Sequence, residues 1–316
     1  MNYYSYSISS TLYAKKINEN YDVVFTNQTS PIMMTRAAFA YARKHSKKVI
    51  LYCMDLWPAS LVVGGIREGS FIYNHYKKVS GKLYRNADSI LITSQSFKDY
   101  LVNTHQVDIR KISYLPQFAN IRFDDVKKKS EKNGTIDFVF AGNIGKAQSI
   151  KTIIEAAEIL KDDTRIHWHI IGDGSELTNL KSMAVKLGLK NIVFYGRKPA
   201  EDMPKYYELA DAMLVTLIKD SNISLTLPGK VQTYMAAGKP IIGAALGEIP
   251  RVISEANCGF CASAEDSRGL ADAVQSFINS TDRNKFGENA RKYYISNFTM
   301  NKFISSLENE LNKNVN

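Results

Sequence analysis

The sequence is poor in cysteine, and the few it has are badly placed for chemistry. Of 316 residues, three are cysteine: Cys53, Cys258 and Cys261. A disulfide framework is therefore not expected, and a reducing compartment is. Cys258-Gly-Phe-Cys261 is a lone C-x-x-C with no second pair to complete a zinc site, so small residues at the edge of a core account for it. No apolar run reaches the roughly 20 residues needed to cross a bilayer, and no signal-peptide pattern is visible. No RNA- or DNA-binding motif occurs. The three-glycine dinucleotide fingerprint is missing as well.

What remains is an ordinary globular composition with an uneven charge. Apolar residues make up 45% of the chain, and its length is enough for two domains of usual size. The formal net charge is +10. Residues 1–120 hold fifteen Lys and Arg against seven Asp and Glu, whereas the remainder holds twenty-six against twenty-four. Such a basic half suits an anionic partner: a membrane surface, a lipid pyrophosphate or nucleic acid. With no nucleic-acid motif, the expectation is no nucleic acid.

In the first 120 residues the pattern alternates. Residues 1–19 read as a helix with Tyr4, Ile8, Leu12 and Ala14 or Lys15 near one face. A strand at 23–25 ends in the polar turn 26–31; a helix over about 32–45 and a strand over 48–53 follow. Further strands fall at 89–93 and 112–116, with a helix at 96–103. That alternation implies a parallel sheet with covering helices. Ligands of such sheets sit beyond the carboxyl ends of strands. Asp55, just past the strand at 48–53, is placed to orient or deprotonate a hydroxyl; a turn or N-cap aspartate before Pro58 is the other reading. Residues 71–85, FIYNHYKKVSGKLYR, mix aromatics with Lys77, Lys78, Lys82 and Arg85. They suit a face resting on anionic lipid, or an amphipathic helix packed on the sheet.

Residues 120–134 are polar and charged and read as an interdomain linker. An apolar strand at 136–140 then runs into Gly142-Asn143-Ile144-Gly145-Lys146-Ala147-Gln148 and a helix over 150–160. A strand, a glycine turn and a helix can cradle a diphosphate on backbone amides; a tight β–α turn is the plainer alternative. A strand at 166–171 ends in Gly172-Asp173-Gly174. Another at 191–195 ends in Gly196-Arg197-Lys198, whose cations face phosphates or solvent equally well. Thr226 to Gly243, TLPGKVQTYMAAGKPIIG, supplies a turn, a helix from Lys230 to about Ala237, and a strand. Lys230 falls in the first helical turn, where free amides and the helix dipole favour an anion. These residues alone fit a solvated lysine equally well. A short helix at 252–256 and a late one at 270–278 close this half.

Lys230 with Tyr234-Met-Ala-Ala-Gly-Lys-Pro240 resembles the donor-site helix of the retaining family 4 glycosyltransferases of the GT-B fold, most of all their bacterial surface-polysaccharide branch. Further matches follow in the same order from about residue 20 to the end. Gly142-Asn143-Ile144-Gly145 with Gln148 resembles the branch's phosphate loop, and relatives have Gly-Asp-Gly near the donor at the place of Gly172, Asp173 and Gly174. Asp55-Leu56-Trp57-Pro58 resembles a segment facing the cleft, with Ala59 where the family has an acidic residue.

The resemblance implies an α/β, GT-B fold of two Rossmann-like domains with parallel sheets facing a cleft. Their expected bounds are 1–119 for the acceptor side, a linker at 120–134, 135–295 for the nucleotide-sugar side, and a helix at 296–316 returning to the first domain. It implies a retaining, metal-independent hexosyltransferase of capsule or surface-polysaccharide synthesis, cytoplasmic and peripheral on the inner face of the plasma membrane. The donor is expected to be a UDP-sugar, a substrate rather than a cofactor, and the acceptor a lipid-linked saccharide. Asp55 and Lys230 are the implied catalytic residues. Donor contacts are implied for Gly142, Asn143, Gly145, Lys146 and Gln148, for Gly172, Asp173 and Gly174, for Gly196 and Arg197, and for Lys230 and Thr233.

Beside Ala59, three further departures stand against it. Many relatives have arginine and lysine at the places of Asn143 and Gln148. The family's Glu-x7-Glu pair falls on Leu225 and Thr233, so both carboxylates are missing; Thr233 can still bond a ribose hydroxyl, and Glu248 reaches in from the next loop or is solvated. The family's first strand–loop–helix units have no counterpart, so an incomplete first domain is expected, its exposed sheet edge or face covered by a partner chain or by a shorter design. A non-catalytic or split-subunit nucleotide-sugar-binding protein therefore stays open. A nucleotide-sugar epimerase would need an acid/base set that does not stand out.

Overall fold

The computed structural model describes residues 2–119, 121–123, 126 and 134–315. It divides into two compact units, Met1–Pro116 with Asn301–Asn316, and Gln117–Met300.

The first unit holds a four-stranded parallel sheet: β1 (Val24–Gln28), β2 (Val49–Cys53), β3 (Ser89–Ile92) and β4 (Ile112–Tyr114), in that spatial order. The two central strands, VILYC and SILI, are buried along their whole length, as strands covered on both faces must be. Around them lie α1 (Asn2–Ala14), α2 (Arg36–His45), α3 (Ser60–Val63), α4 (Phe71–Asn86) and α5 (Phe97–His105). The helix expected over 32–45 is a 3₁₀ turn, Ile32–Thr35, followed by α2. Pro31 precedes that turn, and tight first turns are common at helix starts.

α1 turns most of the face expected at Tyr4, Ile8, Leu12 and Ala14 or Lys15 away from the core, and Ala14 alone of these is buried. Ser7 and Ala14 are buried, whereas Ile8 is 54% and Leu12 56% exposed. Small side chains at this spacing let the helix lie close to the Ile32–Thr35 turn and α2, and the Ser7 hydroxyl donates to the Met33 carbonyl at 2.8 Å. A helix at Met300–Asn314 also belongs to this unit. Its Phe303, Leu307 and Leu311 pack on Ile50, Tyr52, Leu91 and Leu115.

The second unit is a six-stranded sheet of β5 (Ile136–Ala141), β6 (Ile166–Ile171), β7 (Ile192–Gly196), β8 (Ala212–Thr216), β9 (Ile241–Ala244) and β10 (Gly259–Ala262). The strands are parallel, in the order β10-β9-β8-β5-β6-β7. The chain therefore leaves β5 toward β6 and later returns to its other side as β8. That reversal opens a crevice at the carboxyl end of β5. The helices are α6 (Ile150–Ile159), α7 (Leu177–Lys186), α8 (Met203–Leu209), α9 (Gly229–Ala236), α10 (Glu248–Ala256), α11 (Ser267–Asn279) and α12 (Arg283–Asn297). Alternation along β5 feeds two cores: Phe138 and Phe140 face Ile153, Trp168 and Phe277, while Val139 and Ala141 face Val231, Tyr234 and Val252.

α12 packs on α9 and buries Ala290 and Tyr294. α10 starts at Glu248 rather than 252, because Pro250 lies in its first turn, where no N–H is required. Of the segment read as a linker, residues 120, 124–125 and 127–133 lie outside the described residues, and Ala119 and Phe123 belong to the second unit's core. Among the described residues, no helix is long and apolar enough to cross a membrane.

Candidate functional site

At the carboxyl ends of β5, β6 and β7, three turns are joined through their backbones. Gly142 N donates to Ile171 O at 3.0 Å, Gly172 N to Gly196 O at 3.0 Å, and Ile144 N to Asp173 O at 2.8 Å. Glu176 N returns to Ile144 O at 3.0 Å. This closeness requires glycine: a Cβ on Gly172, whose φ is +140°, would stand 1.8 Å from Gly142 O. A Cβ on Gly174 would stand 2.4 Å from Ile144 O. Ile144 anchors its loop by burying its side chain, leaving Gly142 and Asn143 exposed beside it.

α9 is fixed against the same strand end. The Tyr234 hydroxyl accepts from Ala141 N at 3.3 Å and donates to Ala141 O at 3.1 Å. Lys230, in the first turn of α9, is thereby delivered to the glycine loop. Its Nζ lies 3.1 Å from where a Gly142 Cβ would stand, and 4.2 Å from the centre of the Phe140 ring. It donates a short hydrogen bond to Gln148 Oε1. Gln148 is held in turn, because Thr216 Oγ1 donates to its carbonyl at 2.5 Å.

Loss of water around the ammonium pushes the Lys230 pKa down to about 7. Among the described residues no carboxylate pairs with it; its partners are a neutral amide and an aromatic face. A cation held this way, beside loop amides and a helix start, is prepared for an anion.

Gly142, Gln148 and Lys230 thus come together, with Gly172 and Gly174 supporting them from behind. Gly145 follows in the same loop, its missing Cβ making room for the Asn143 amide. Lys146 is exposed in the next turn, and Asp173 is exposed with its carboxylate accepting from Gly174 N at 2.8 Å. Gly196 joins the network through its carbonyl, whereas Arg197 just beyond it is exposed. Thr233 uses its hydroxyl proton within the helix, donating to Gly229 O at 2.9 Å, so only its lone pairs face outward. Leu225 lies in a 3₁₀ turn, Ile223–Leu225. Glu248 is neither solvated nor outward-facing: it is fully buried and paired with Arg251 at 2.6 Å. Phe140 and Tyr234 act here by positioning Lys230; their alternation and spacing signal only burial.

Asp55 lies in the first unit, past the end of β2. Burial raises its pKa, against hydrogen bonds from Ser60, the Leu56 amide and Ser30. Its loop is tied by side chains. Trp57 N donates to the Tyr84 hydroxyl at 3.1 Å, Trp57 Nε1 donates to Ser30 Oγ at 2.6 Å, and His105 Nε2 meets Trp57 O at 3.0 Å. Sequence reasoning missed Tyr84 and His105, because nothing near them in the chain announces a partner in the loop at 55–59.

Comparison with known proteins supplies the family. The family described as "Glycosyl transferases group 1" matches residues 122–293. The probable glycosyltransferase WbjE of Pseudomonas aeruginosa is 26% identical over 80% of this chain and 65% of its own, so the chain spans just under two thirds of that relative. Two solved structures share the fold. A glycosyltransferase from Rickettsia africae aligns over 96% of this chain and 80% of its own, with a TM-score of 0.76 at 17% identity. An Anabaena protein crystallised in complex with UDP aligns over 97% and 82%, with a TM-score of 0.78 at 14% identity.

Proposed function

The chain belongs to the glycosyl transferases group 1 family, and on that premise we propose that it moves a sugar from a UDP-linked donor to a lipid-linked or polysaccharide acceptor in surface-polysaccharide synthesis, keeping the anomeric configuration and using no metal. One observation carries the reading: Lys230, desolvated and paired only with neutral groups, beside the glycine loop at the switch point of the second sheet. The leaving diphosphate would occupy that place, with the α9 amides and Lys230 stabilising its growing charge. The family resemblance and the UDP in the Anabaena structure suggest the uridine donor. Asp55 would act on the acceptor hydroxyl.

A peripheral membrane location has support of its own in the first unit. Phe71 is 88% and Ile72 51% exposed at the start of α4, and Lys77, Lys78 and Lys82 are exposed further along it. Aromatics and lysines in this arrangement suit an anionic bilayer, whereas Tyr73, Leu83 and Tyr84 hold the helix on the sheet.

Titration with UDP and GDP tests the donor site, and turnover of a UDP-sugar with a membrane extract tests the transfer. UDP binding that Lys230→Met weakens by roughly 10- to 100-fold, together with loss of sugar transfer, is expected. Saturable UDP binding without turnover would favour the second reading, a non-catalytic or split-subunit binding protein, for which Leu225 and Thr233 at the places of two glutamates speak. Absence of UDP binding would overturn both.

A further inference from the structure

Toward the amino-terminal ends of β5 and β6, away from the glycine loops, the second unit gathers two imidazoles and a carboxylate. Asp137 pairs with His167 across the β5–β6 register, and His169 lies two residues further on the same face. Asp137 Oδ1 is 2.7 Å from His169 Nε2 and 4.0 Å from His167 Nδ1. One ligand atom from each residue lies within 4.8 Å of the others. Five residues of strand, roughly 16 Å, separate Asp137 from Gly142.

From this geometry we infer a binding site for a divalent cation of the zinc class, held by Asp137, His167 and His169. Two nitrogens and a carboxylate oxygen are the donor set that such cations prefer over magnesium or calcium. At bond lengths of ~2.1 Å, tetrahedral ligands stand ~3.4 Å apart. The 2.7 Å pair must open a little and the 4.0 Å pair close a little, and both changes fall to rings and a carboxylate on rigid strands. To ligate, His169 presents Nε2 without a proton, and the ring proton is carried on Nδ1, toward the Tyr195 hydroxyl.

Two features beyond the ligands support it. His169 Nδ1 lies 2.9 Å from the Tyr195 hydroxyl, the kind of outer partner that fixes a metal-binding ring. Asp137 is held by a reciprocal pair: its N donates to Asp211 Oδ2 at 2.7 Å, and Asp211 N donates to its carbonyl at 2.8 Å. Entry is through His167, which is 42% exposed and borders a hollow of about 580 Å³ lined also by Lys161, Asp162, Lys190 and Asn191. A water from that side would fill the fourth position. The site owes nothing to the transfer reaction and belongs to the fold of this chain.

The test is a titration of the full chain, stripped with chelator, using Zn²⁺ alone in competition with a chromophoric chelator. One equivalent bound with a Kd of about 1 μM or tighter is expected. His167→Gln changes a half-exposed side chain, so the core should stay intact, as near-ultraviolet circular dichroism can check. It should weaken binding at least tenfold, and Tyr195→Phe about tenfold. Cys261→Ser should leave binding unchanged. No stoichiometric uptake, uptake indifferent to His167→Gln, or uptake lost with Cys261→Ser would each overturn the assignment.

Discussion

The strand ends of the two sheets are held together by different means. In the second unit, the turns after β5, β6 and β7 are joined by backbone amides and carbonyls, and those after β5 and β6 at separations only glycine allows. In the first, the loop after β2 is joined by the side chains of Ser30, Tyr84 and His105. Backbone joining does not titrate, and Lys230 stands beside the joined loop. Side-chain joining buries a histidine, so it must answer to pH. The first arrangement suits a fixed anion cradle, and the second a loop whose hold depends on conditions.

The sharpest way to break this contrast is Gly172→Ala. The added methyl would have to occupy the position of Gly142 O, and the φ of +140° is unfavourable in itself. A loss of about 3 kcal/mol or more in chemical denaturation is expected, with UDP binding lost as well. Gly188→Ala is the control. Its φ of +67° is also positive, but nothing lies within 4 Å of the new methyl, so about 1 kcal/mol is expected. Equal costs would mean that conformation, not the closeness of the two turns, sets the requirement.

Next in size is Lys230→Met. Removing a charge-assisted contact to a diphosphate should weaken UDP binding by roughly 10- to 100-fold. The fold should be as stable as before or more so, since a desolvated ammonium disappears. The sign of the pH dependence follows from the pKa of about 7 in the free chain. A bound diphosphate favours the protonated lysine, so above pH 7 binding must recruit a proton. Calorimetry between pH 7 and 9 should show affinity falling as pH rises, by up to about tenfold per unit, and the slope should vanish in Lys230→Met.

How legible these two regions are in the sequence follows from the same difference. The glycine turns could be read because a backbone requirement leaves a local mark: Gly142, Gly172 and Gly196 each stand at the end of an apolar run, with Gly174 two residues beyond Gly172. The parallel sheets could be read from alternation, and the family from Lys230 with the Tyr234–Pro240 segment. The contacts around Asp55 could not, since Tyr84 and His105 lie some thirty and fifty residues away and look like ordinary helix residues. α1 was misread for a related reason. Its large side chains at Tyr4, Ile8 and Leu12 suggest the buried face, but close packing against the Ile32–Thr35 turn selects Ser7, beside the already expected Ala14. Glu248 shows the same limit, because burial with Arg251 depends on a fold that local pattern does not carry.

The side-chain cluster of the first unit should show its titration in stability. Burial lowers the His105 pKa to about 4, with Lys77 and Arg85 adding to the effect against the bond to Trp57 O. The unfolded chain therefore takes up the proton first as pH falls below about 6.5, and stability falls with it. Between pH 6.5 and 5 the loss should be about 2 kcal/mol, read by denaturation of the whole chain with Trp57 fluorescence following this unit. His105→Gln should flatten the dependence. An unchanged slope would move the pH sensitivity elsewhere.

The smallest effect sharpens the other side of the comparison. Thr233 lies three residues after Lys230, on a neighbouring part of the α9 surface, with its hydroxyl donating to Gly229 O. Thr233→Glu puts a carboxylate where the family has one for the donor ribose. If the nucleotide lies along α9, the new charge-assisted bonds should tighten UDP by about tenfold, and uridine by a similar factor. Pyrophosphate should bind as before, because Lys230 and the glycine loop would be untouched. The competing outcome is specific. A carboxylate three residues from Lys230 can pair with the ammonium instead, and then pyrophosphate binding falls while uridine gains nothing. That result would place the ribose away from Thr233 and detach the base side of the donor from α9, leaving the helix start with the diphosphate alone.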